Sequence, residues 1–368
     1  MVSQDSSPVD LAMSSEEDLS VVCQAMVFFA ETPSILTAFG AKFACGVVAT
    51  ILLVVLYVVK PKDSSLHPNA YSLVYAHFIF VFIGTIGVVV NDGFDFFRLT
   101  VFRKEVKAYT PGSTYCGIFA MPAIYGAFMR LITLFGNNGS SISMFALAIE
   151  RTIATLKARS YEQESSRRLS NMLILGVLGV NVGFMVYIVS YINFYRFLPM
   201  QSLTAEAADP GTYVLTACAI LEVLNIFILT ALWVRNYKWK TTETRIAATL
   251  SQKYQVEENI QTTAILIPLA FLHVVINGAA DVMVVIGIFH SSNLQDKLKI
   301  VITRDVAPVY DLMLPAFSLI TLAWKRRKQA KNRSRSIAKV EDVSTGRHFE
   351  MLNGMFDKAL DKRATGRK

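Results

Sequence analysis

The chain has 368 residues, of which 53% are hydrophobic and only 17% are charged, and its formal net charge is +8. A soluble domain carries about 25% charged residues, so this composition excludes an ordinary soluble domain and places most of the chain in lipid. The basic residues lie in short segments between apolar runs, which indicates membrane orientation and argues against a nucleic-acid partner.

The N-terminal segment, residues 1–34, contains six acidic residues and no Lys or Arg. A signal peptide has a basic start and a short apolar core, whereas the first apolar run here is too long for that role. We therefore expect an extracellular tail held by an uncleaved first helix.

Seven apolar segments follow, and a membrane-spanning helix needs about 20 such residues. In lipid each must be helical, because no water satisfies the backbone. The sequence therefore predicts an all-α membrane protein, a bundle of seven transmembrane helices over 35–324. The third is the weakest, since it holds two Asn and three Ser that can be accommodated only if they face other helices. The predicted spans are 35–59, 71–90, 123–155, 171–194, 213–234, 263–289 and 300–323.

The distribution of Lys and Arg predicts an extracellular N-terminus and a cytoplasmic C-terminus. With that orientation, 26 basic residues lie on the inner side and 7 on the outer side, as the positive-inside rule requires. The first outer loop fits least well, because it holds Arg98, Arg103, Lys104 and Lys107. We interpret it as a solvated loop, with contact to an anionic partner as the alternative.

The last segment, residues 325–368, is predicted to be a basic cytoplasmic tail. It begins with Lys325-Arg-Arg-Lys328, directly after the seventh span. Basic residues in that position are attracted to anionic lipid by about 1 kcal/mol each near the surface. The cluster therefore predicts contact with anionic membrane lipid and needs no other function.

A Glu150-Arg151 pair ends the apolar run of the third helix. An acidic residue followed by Arg at the inner end of the third of seven helices is the usual switch position of a G-protein-coupled receptor. In one interpretation, Arg151 pairs with Glu150 at rest and engages a G protein when released. In the other, the pair only anchors the helix, with Arg151 reaching the lipid headgroups. The helix count and the orientation favour the first interpretation.

Polar residues inside the membrane mark candidate sites, because they are costly there. Three of them, His273, Asn277 and Asp281, recur at helical spacing on one face of the sixth helix, as a pocket for a polar ligand requires. The alternative is hydrogen bonding between helices, worth about 0.6 kcal/mol per pair. The candidate ligand-binding residues are Arg130, Glu222, His273, Asn277, Asp281 and Asp305.

Four stretches together resemble a known family. They are Ala148-Ile-Glu-Arg-Thr-Ile-Ala-Thr155 followed by Ser160-Tyr-Glu162, then Lys253-Tyr-Gln-Val-Glu-Glu-Asn259, Asp95-Phe-Phe-Arg98 with Cys116, and Pro308-Val-Tyr-Asp-Leu-Met-Leu-Pro315. They resemble the corresponding stretches of nematode serpentine chemoreceptors of the Sra superfamily, with the alpha/beta and epsilon classes the most similar. The resemblance covers roughly residues 35–325.

The resemblance implies a receptor in the plasma membrane of a sensory neuron, at its cilium. Such a receptor senses small environmental chemicals and signals through a heterotrimeric G protein. The residues that the resemblance assigns to G-protein coupling are Glu150, Arg151, Lys253, Tyr254, Glu258 and Asn259. Thr152, where rhodopsin-like receptors usually have Tyr, is a departure from that wider pattern.

The four cysteines form no CxxC pair and no Cys/His cluster, so no metal site is expected, and nothing indicates a cofactor. The matched stretch places Cys116 just before the third helix, and the second outer loop, in a departure from rhodopsin-like receptors, has no Cys to pair with it. Its one plausible outer partner is Cys23, and we predict that bond.

A membrane transporter or a channel-like seven-helix protein is the main alternative. Transporters are often built from two matched halves, and seven spans do not divide in two. A retinal-binding pump needs a Lys in the seventh span, which has none, and neither HExxH nor GxSxG is present. We therefore expect a receptor that is not an enzyme.

The expected mechanism is an equilibrium between two states. A small ligand enters from outside between helices three, five, six and seven and favours the state in which helix six leans outwards and frees Arg151. Pro268 and Pro315 are expected to supply the bends.

Overall fold

The computed structural model describes residues 8–59, 67–108, 119–157, 167–200, 202, 207–241, 250–290, 294–324, 326–328, 331, 350–351 and 353–354. The chain divides into two compact units, Met1–Pro315 and Ala316–Lys368. The candidate site lies within the first unit.

The described residues are almost entirely helical. The helices are α1 (Pro8–Glu31), α2 (Pro33–Val59), α3 (Pro68–Val101), α4 (Arg103–Lys107), α5 (Ala123–Leu156), α6 (Arg168–Val189), α7 (Ala208–Thr241), α8 (Leu250–His273), α9 (Ala279–His290), α10 (Leu294–Arg304) and α11 (307–324). A π-helix, Val274–Gly278, joins α8 to α9. Two short antiparallel strands, β1 (Met121–Pro122) and β2 (Phe197–Leu198), pair with Met121 opposite Leu198.

Six stretches of the described chain are long and apolar enough to cross a membrane: α2, α3, α6, α7, Gln255–Gly287 and Lys299–Lys328. The third of the seven predicted spans, α5, is not among them, because its Asn and Ser residues lower its hydropathy. Those side chains are nevertheless inside the protein, with Asn138, Ser140, Ser141 and Ser143 all buried. The expectation that they face other helices is confirmed, and α5 packs centrally against α3, α6, α7 and α8.

Glycines bring α3 and α5 into close contact. A Cβ atom on Gly136 would lie within 3 Å of three backbone atoms, the nitrogen and Cα of Gly84 and the carbonyl oxygen of Phe80. A Cβ on Gly87 would similarly meet the backbone of Thr133. Small residues let helix backbones approach one another in membranes, where packing drives association. This contact fixes α5 next to α3 and thereby sets the position of every polar group on α5.

The second span is longer than predicted. We expected it to end at Val90, but α3 continues to Val101. Arg98 consequently lies in the helix and is buried: its guanidinium donates to Asp95 Oδ1 at 2.8 Å and to the carbonyl oxygens of Phe119 and Pro199 at 2.8 and 2.5 Å. The prediction of a solvated loop is therefore wrong for Arg98.

The seventh span is broken where one continuous helix was predicted. Residues Asp305 and Val306 are not helical and separate α10 from α11. Asp305 Oδ1 accepts a hydrogen bond from the backbone nitrogen of Ala307 at 3.3 Å, and Pro308 follows in the first turn of α11. Both are helix-starting features, because a side-chain acceptor satisfies an orphan amide and proline has no amide to lose.

The N-terminal segment, expected to be a tail, is largely helical. Val22, Cys23, Met26 and Ala30 of α1 are buried in a cluster with Val106 and Ala120. Cys23 is disulfide-bonded, and Cys45 and Cys218 are free. Cys116 lies outside the described residues, so the pairing of Cys23 with Cys116 stays a prediction.

Candidate functional site

A cavity of about 180 Å³ lies between the helices, towards the ends that carry Lys42, Arg130, Asp281 and Asp305, which we call the cavity end. Its lining comes from α2, α3, α5, α7, α9, α10 and the π-helix, together with Met200 and Ser202. The predicted ligand entry involved helices three, five, six and seven. In the structure the first and second spans, α2 and α3, line the cavity as well.

The charged wall of the cavity is built around Lys42 and Asp305. The Lys42 amine lies 3.2 Å from Asp305 Oδ2 and 3.7 Å from Asp92 Oδ1, and Arg130 Nη2 lies 3.5 Å from the same Asp305 oxygen. Two cations and two carboxylates thus compensate one another inside the bundle. Lys42 and Asp92 were missed from the sequence, although a single Lys within an apolar span is a signal of this kind.

Lys42→Ala is expected to lower the free energy of unfolding by about 3 kcal/mol, because removal of one member leaves a buried carboxylate unpaired. Lys240→Ala is the matched control, since Lys240 pairs with Glu257 at 2.6 Å but both side chains are more than a third exposed; it should cost less than about 1 kcal/mol. Thermal melting of the solubilised protein measures both. Addition of Asp92→Ala to Lys42→Ala should restore part of the loss, and equal melting temperatures for the two Lys variants would contradict the buried network.

Four of the six predicted ligand-binding residues line the cavity: Arg130, Asn277, Asp281 and Asp305. Glu222 and His273 do not. They lie beneath it, where Ser141 Oγ donates to Glu222 Oε1 at 2.8 Å and His273 Nδ1 lies 3.0 Å from the same oxygen. They form a layer of side chains that supports the cavity from below, and their direct contact with a ligand stays a prediction.

The π-helix lies at the level of that layer. A Cβ atom on Gly278, its last residue, would lie 2.8 Å from Glu222 Oε2, so glycine allows the carboxylate to approach the backbone. π-turns inside α-helices are frequent at functional sites. The sequence predicted a bend at Pro268, which lies within α8, but gave no signal for the wider turn six residues later.

A second polar layer lies deeper and includes two residues not predicted as site residues, His77 and Tyr310. His77 Nε2 and the Tyr310 hydroxyl are 3.0 Å apart, and His77 Nδ1 lies 3.0 Å from Ser143 Oγ. The His273 and Tyr310 rings meet edge to face, with centroids 4.4 Å apart. All four side chains are buried. Together they connect α3, α5, α8 and α11, which carry the second, third, sixth and seventh spans.

At the other end of the helices, which we call the Arg151 end, Arg151 is completely enclosed. Its Nε and Nη2 donate to the two oxygens of Glu150, each at 2.5 Å, and Nη1 donates to Asn259 Oδ1 at 3.1 Å. Glu150 is 0% exposed, Arg151 1% and Asn259 1%. Three of the six predicted coupling residues, Glu150, Arg151 and Asn259, are therefore brought together in a single hydrogen-bonded group.

Two further contacts hold α8 at the Arg151 end. Glu258 Oε1 accepts a hydrogen bond from the backbone nitrogen of His67, just before α3, at 2.7 Å. Lys240 of α7 pairs with Glu257 of α8. Of the other predicted coupling residues, Lys253 is half-buried, whereas the side chain of Tyr254 and residues 160–162 lie outside the described part of the structure.

Comparison with known proteins agrees with this arrangement. The model of the family described as serpentine type 7TM GPCR receptor class ab chemoreceptor matches residues 20–357. The chain is 28% identical over 171 residues to Serpentine receptor class alpha/beta-14 of Caenorhabditis elegans, a match that covers 44% of the chain but only 39% of that relative. It is 24% identical to class beta-16 over 75% of the chain and 78% of the relative, and 22% identical to class beta-1 over 83% and 88%.

Of the two classes that the sequence resembled most, alpha/beta is the one confirmed. Membership implies a multi-pass membrane protein and, in general terms, a receptor for a chemical ligand that couples to a G protein. The cavity between the helices and the enclosed Glu-Arg pair at their far end suit such a receptor. The chain belongs to the serpentine seven-transmembrane receptor family of class ab chemoreceptors.

Proposed function

We propose that this chain is a G-protein-coupled chemosensory receptor in the plasma membrane of a sensory neuron, with its cavity end outside and its Arg151 end in the cytosol. A small environmental chemical binds in the cavity, and a heterotrimeric G protein binds at the Arg151 end. The observation that supports this most strongly is the hydrogen-bonded group of Glu150, Arg151 and Asn259, which joins the third helix to the sixth.

Burial of that group favours the latch over the anchor. An anchoring Arg extends its charged head to the lipid headgroups or to water. Arg151 instead has all but 1% of its surface covered and directs its guanidinium to a neighbouring helix. A charge enclosed in this way is available to a partner only after α8 has moved.

The polar layers between the two ends supply a route for that movement. Asn277 and Asp281 line the cavity, and the sixth span that carries them also carries His273 and, at its far end, Asn259. A ligand shifts the equilibrium between states only by its difference in affinity for them. Ligand contacts at the π-helix that rotate α8 would separate Asn259 from Arg151, which is how binding favours the active state.

The direction of insertion follows from the basic residues. Arg326, Arg327 and Lys328 are exposed, and Lys328 lies 5.2 Å from the ring centre of Trp324, while Lys325 lies outside the described residues. Tryptophan and basic residues are both enriched at membrane interfaces. We propose that this cluster contacts anionic lipid on the cytosolic face, and the excess of Lys and Arg in the predicted inner loops supports the same orientation.

Expression of the full chain with a different epitope tag at each end tests this proposal. In unpermeabilised cells, antibody should label the N-terminal tag and not the C-terminal tag, with permeabilised cells as the control for both. The same cells, exposed to a panel of volatile and water-soluble chemicals, should give a calcium or cyclic-nucleotide response that mock-transfected cells lack. Labelling of both tags from outside would overturn the proposed topology.

A further inference from the structure

Building on the receptor function proposed above, we propose that the cavity takes a small organic cation. The ligand is a protonated amine about the size of one ring, and its ammonium group lies against Asp281 and Asn277. The argument rests on the charge balance of the cavity, on its unused hydrogen-bond acceptors and on its size.

The two cations of the lining are already neutralised. Lys42 contacts both Asp92 and Asp305, and Arg130 also contacts Asp305. An anionic ligand would therefore have to break these ion pairs to reach a positive charge. The acidic residue that remains is Asp281.

Asp281 lines the cavity, and no described residue donates a hydrogen bond to its carboxylate or forms an ion pair with it. A charged carboxylate within a membrane protein is costly unless a cation joins it. A cationic ligand would supply the positive charge that no described residue gives to Asp281.

Other acceptor atoms of the lining are also unused. Within the described structure, Asn277 Oδ1 and Asp92 Oδ2 have no hydrogen-bond partner, although the two residues are only 8% and 4% exposed. Unsatisfied buried acceptors are costly, and an ammonium group has three N–H donors and no acceptor. Asn277 and Asp281 lie one helical turn apart on the sixth span, so one ammonium group can reach both.

The size and the remaining lining define the rest of the ligand. Cavities of about 150 Å³ hold a benzene molecule, and this one measures about 180 Å³. Phe39, Leu134, Leu215 and Val284 contribute apolar surface to it. A single aromatic or aliphatic ring with a short aminoalkyl arm fits these limits.

The test uses three matched probes, benzylamine, benzyl alcohol and benzoate, with phenethylamine and cyclohexylamine as further amines. Binding to the purified full chain is measured from the rise of its melting temperature over a concentration series. At least one amine should bind roughly tenfold to a hundredfold more tightly than its alcohol or carboxylate counterpart, because a charged hydrogen bond is lost in the latter two. Asp281→Asn should remove most of this preference.

Asp209→Asn is the matched control, because Asp209 is an exposed carboxylate in the first turn of α7, next to Ala208 of the cavity lining. It should leave amine affinity unchanged. If Asp281→Asn fails to fold, the inference is tested by the preference of the wild-type chain for amine over alcohol and carboxylate. Equal or tighter binding of benzoate or benzyl alcohol, or no binding of any amine, overturns the inference.

The failure of the inference and that of the receptor function remain distinguishable. Amines that bind with the expected preference but never activate a G protein would contradict the function and support the inference. A cellular response to neutral or anionic chemicals, with no amine bound, would support the function and overturn the inference.

Discussion

Arg151→Ala is expected to abolish G-protein signalling, because the guanidinium that is released when α8 moves is then missing. The substitution also removes the guanidinium that bonds to both oxygens of the buried Glu150 carboxylate, which is 0% exposed. Removal of one member of such a pair costs about 3–5 kcal/mol. The measurement is the ligand-induced or basal response per receptor at the cell surface, which separates loss of signalling from loss of protein.

The double variant Glu150→Ala/Arg151→Ala distinguishes the latch from the anchor. It removes both charged side chains, so no buried carboxylate remains after the loss of Arg151. Much of the stability and of the surface delivery should therefore be recovered. If Arg151 engages the G protein, the double variant is still silent. If the pair only anchors the helix, a stable double variant signals normally, and the latch is then disproved.

Asn259→Ala is expected to raise signalling in the absence of ligand, whereas Arg151→Ala abolishes signalling. It removes the hydrogen bond from Arg151 to α8 while the pair with Glu150 stays intact. A hydrogen bond to a charged group contributes about 1.5–3 kcal/mol, so the active fraction in the absence of ligand should rise roughly tenfold or more. Gln261→Ala is the control, because Gln261 is an exposed amide of α8 that bonds only within its helix, to Glu257.

Gly136→Ala is expected to destabilise the bundle by more than about 3 kcal/mol. The added methyl group would lie 2.1 Å from the backbone nitrogen of Gly84 and 2.8 Å from the carbonyl oxygen of Phe80. Neither atom belongs to a flexible side chain, so α3 and α5 must move apart, and overpacking of this kind typically costs 1–3 kcal/mol even where side chains can yield. The separation would also disturb His77 and Ser143, which join the same two helices.

Gly176→Ala is the matched control on α6. Nothing lies within 4 Å of the position of its Cβ, and Ala in place of Gly inside a helix is favourable by about 0.5–1 kcal/mol. The two variants should therefore change the melting temperature of the solubilised receptor in opposite directions. A Gly136→Ala variant that melts with the wild type would mean that the two backbones are not in close contact.

The large-scale features of the protein were predictable from the sequence because they depend on composition and spacing. Apolar runs of about 20 residues define membrane helices whatever their neighbours. Each of the seven predicted spans contains a helix, although the fourth helix ends at Val189 and the seventh span is broken at Asp305 and Val306. Between the fifth and sixth spans, α7 continues to Thr241 and α8 begins at Leu250. The predicted ends of helices were less accurate where they depend on tertiary contacts. The second span was predicted to end at Val90, whereas α3 continues through Asn91 and Asp92.

The candidate site was predictable only in part. A charge such as Asp281 or Arg130 inside an apolar run is visible in the sequence, because the cost of burying it is local. Its partner is not visible: Lys42 and Asp305 are 263 positions apart, and so are joined by the packing of α2 against α10. Glu222 and His273 are a second example. They were predicted to lie in a pocket, whereas the packing of the helices places them beneath the cavity.

The sequence alone determined the number of membrane spans, the position of Glu150-Arg151 at the end of the third span and the family to which the chain belongs. The tertiary structure decided which of the polar groups face a cavity, which support it and which hydrogen-bond to Arg151. The physical reason is that hydropathy is a property of each segment, whereas the pairing of buried polar groups depends on distances between segments. Those distances are set by close contacts such as that between Gly84 and Gly136.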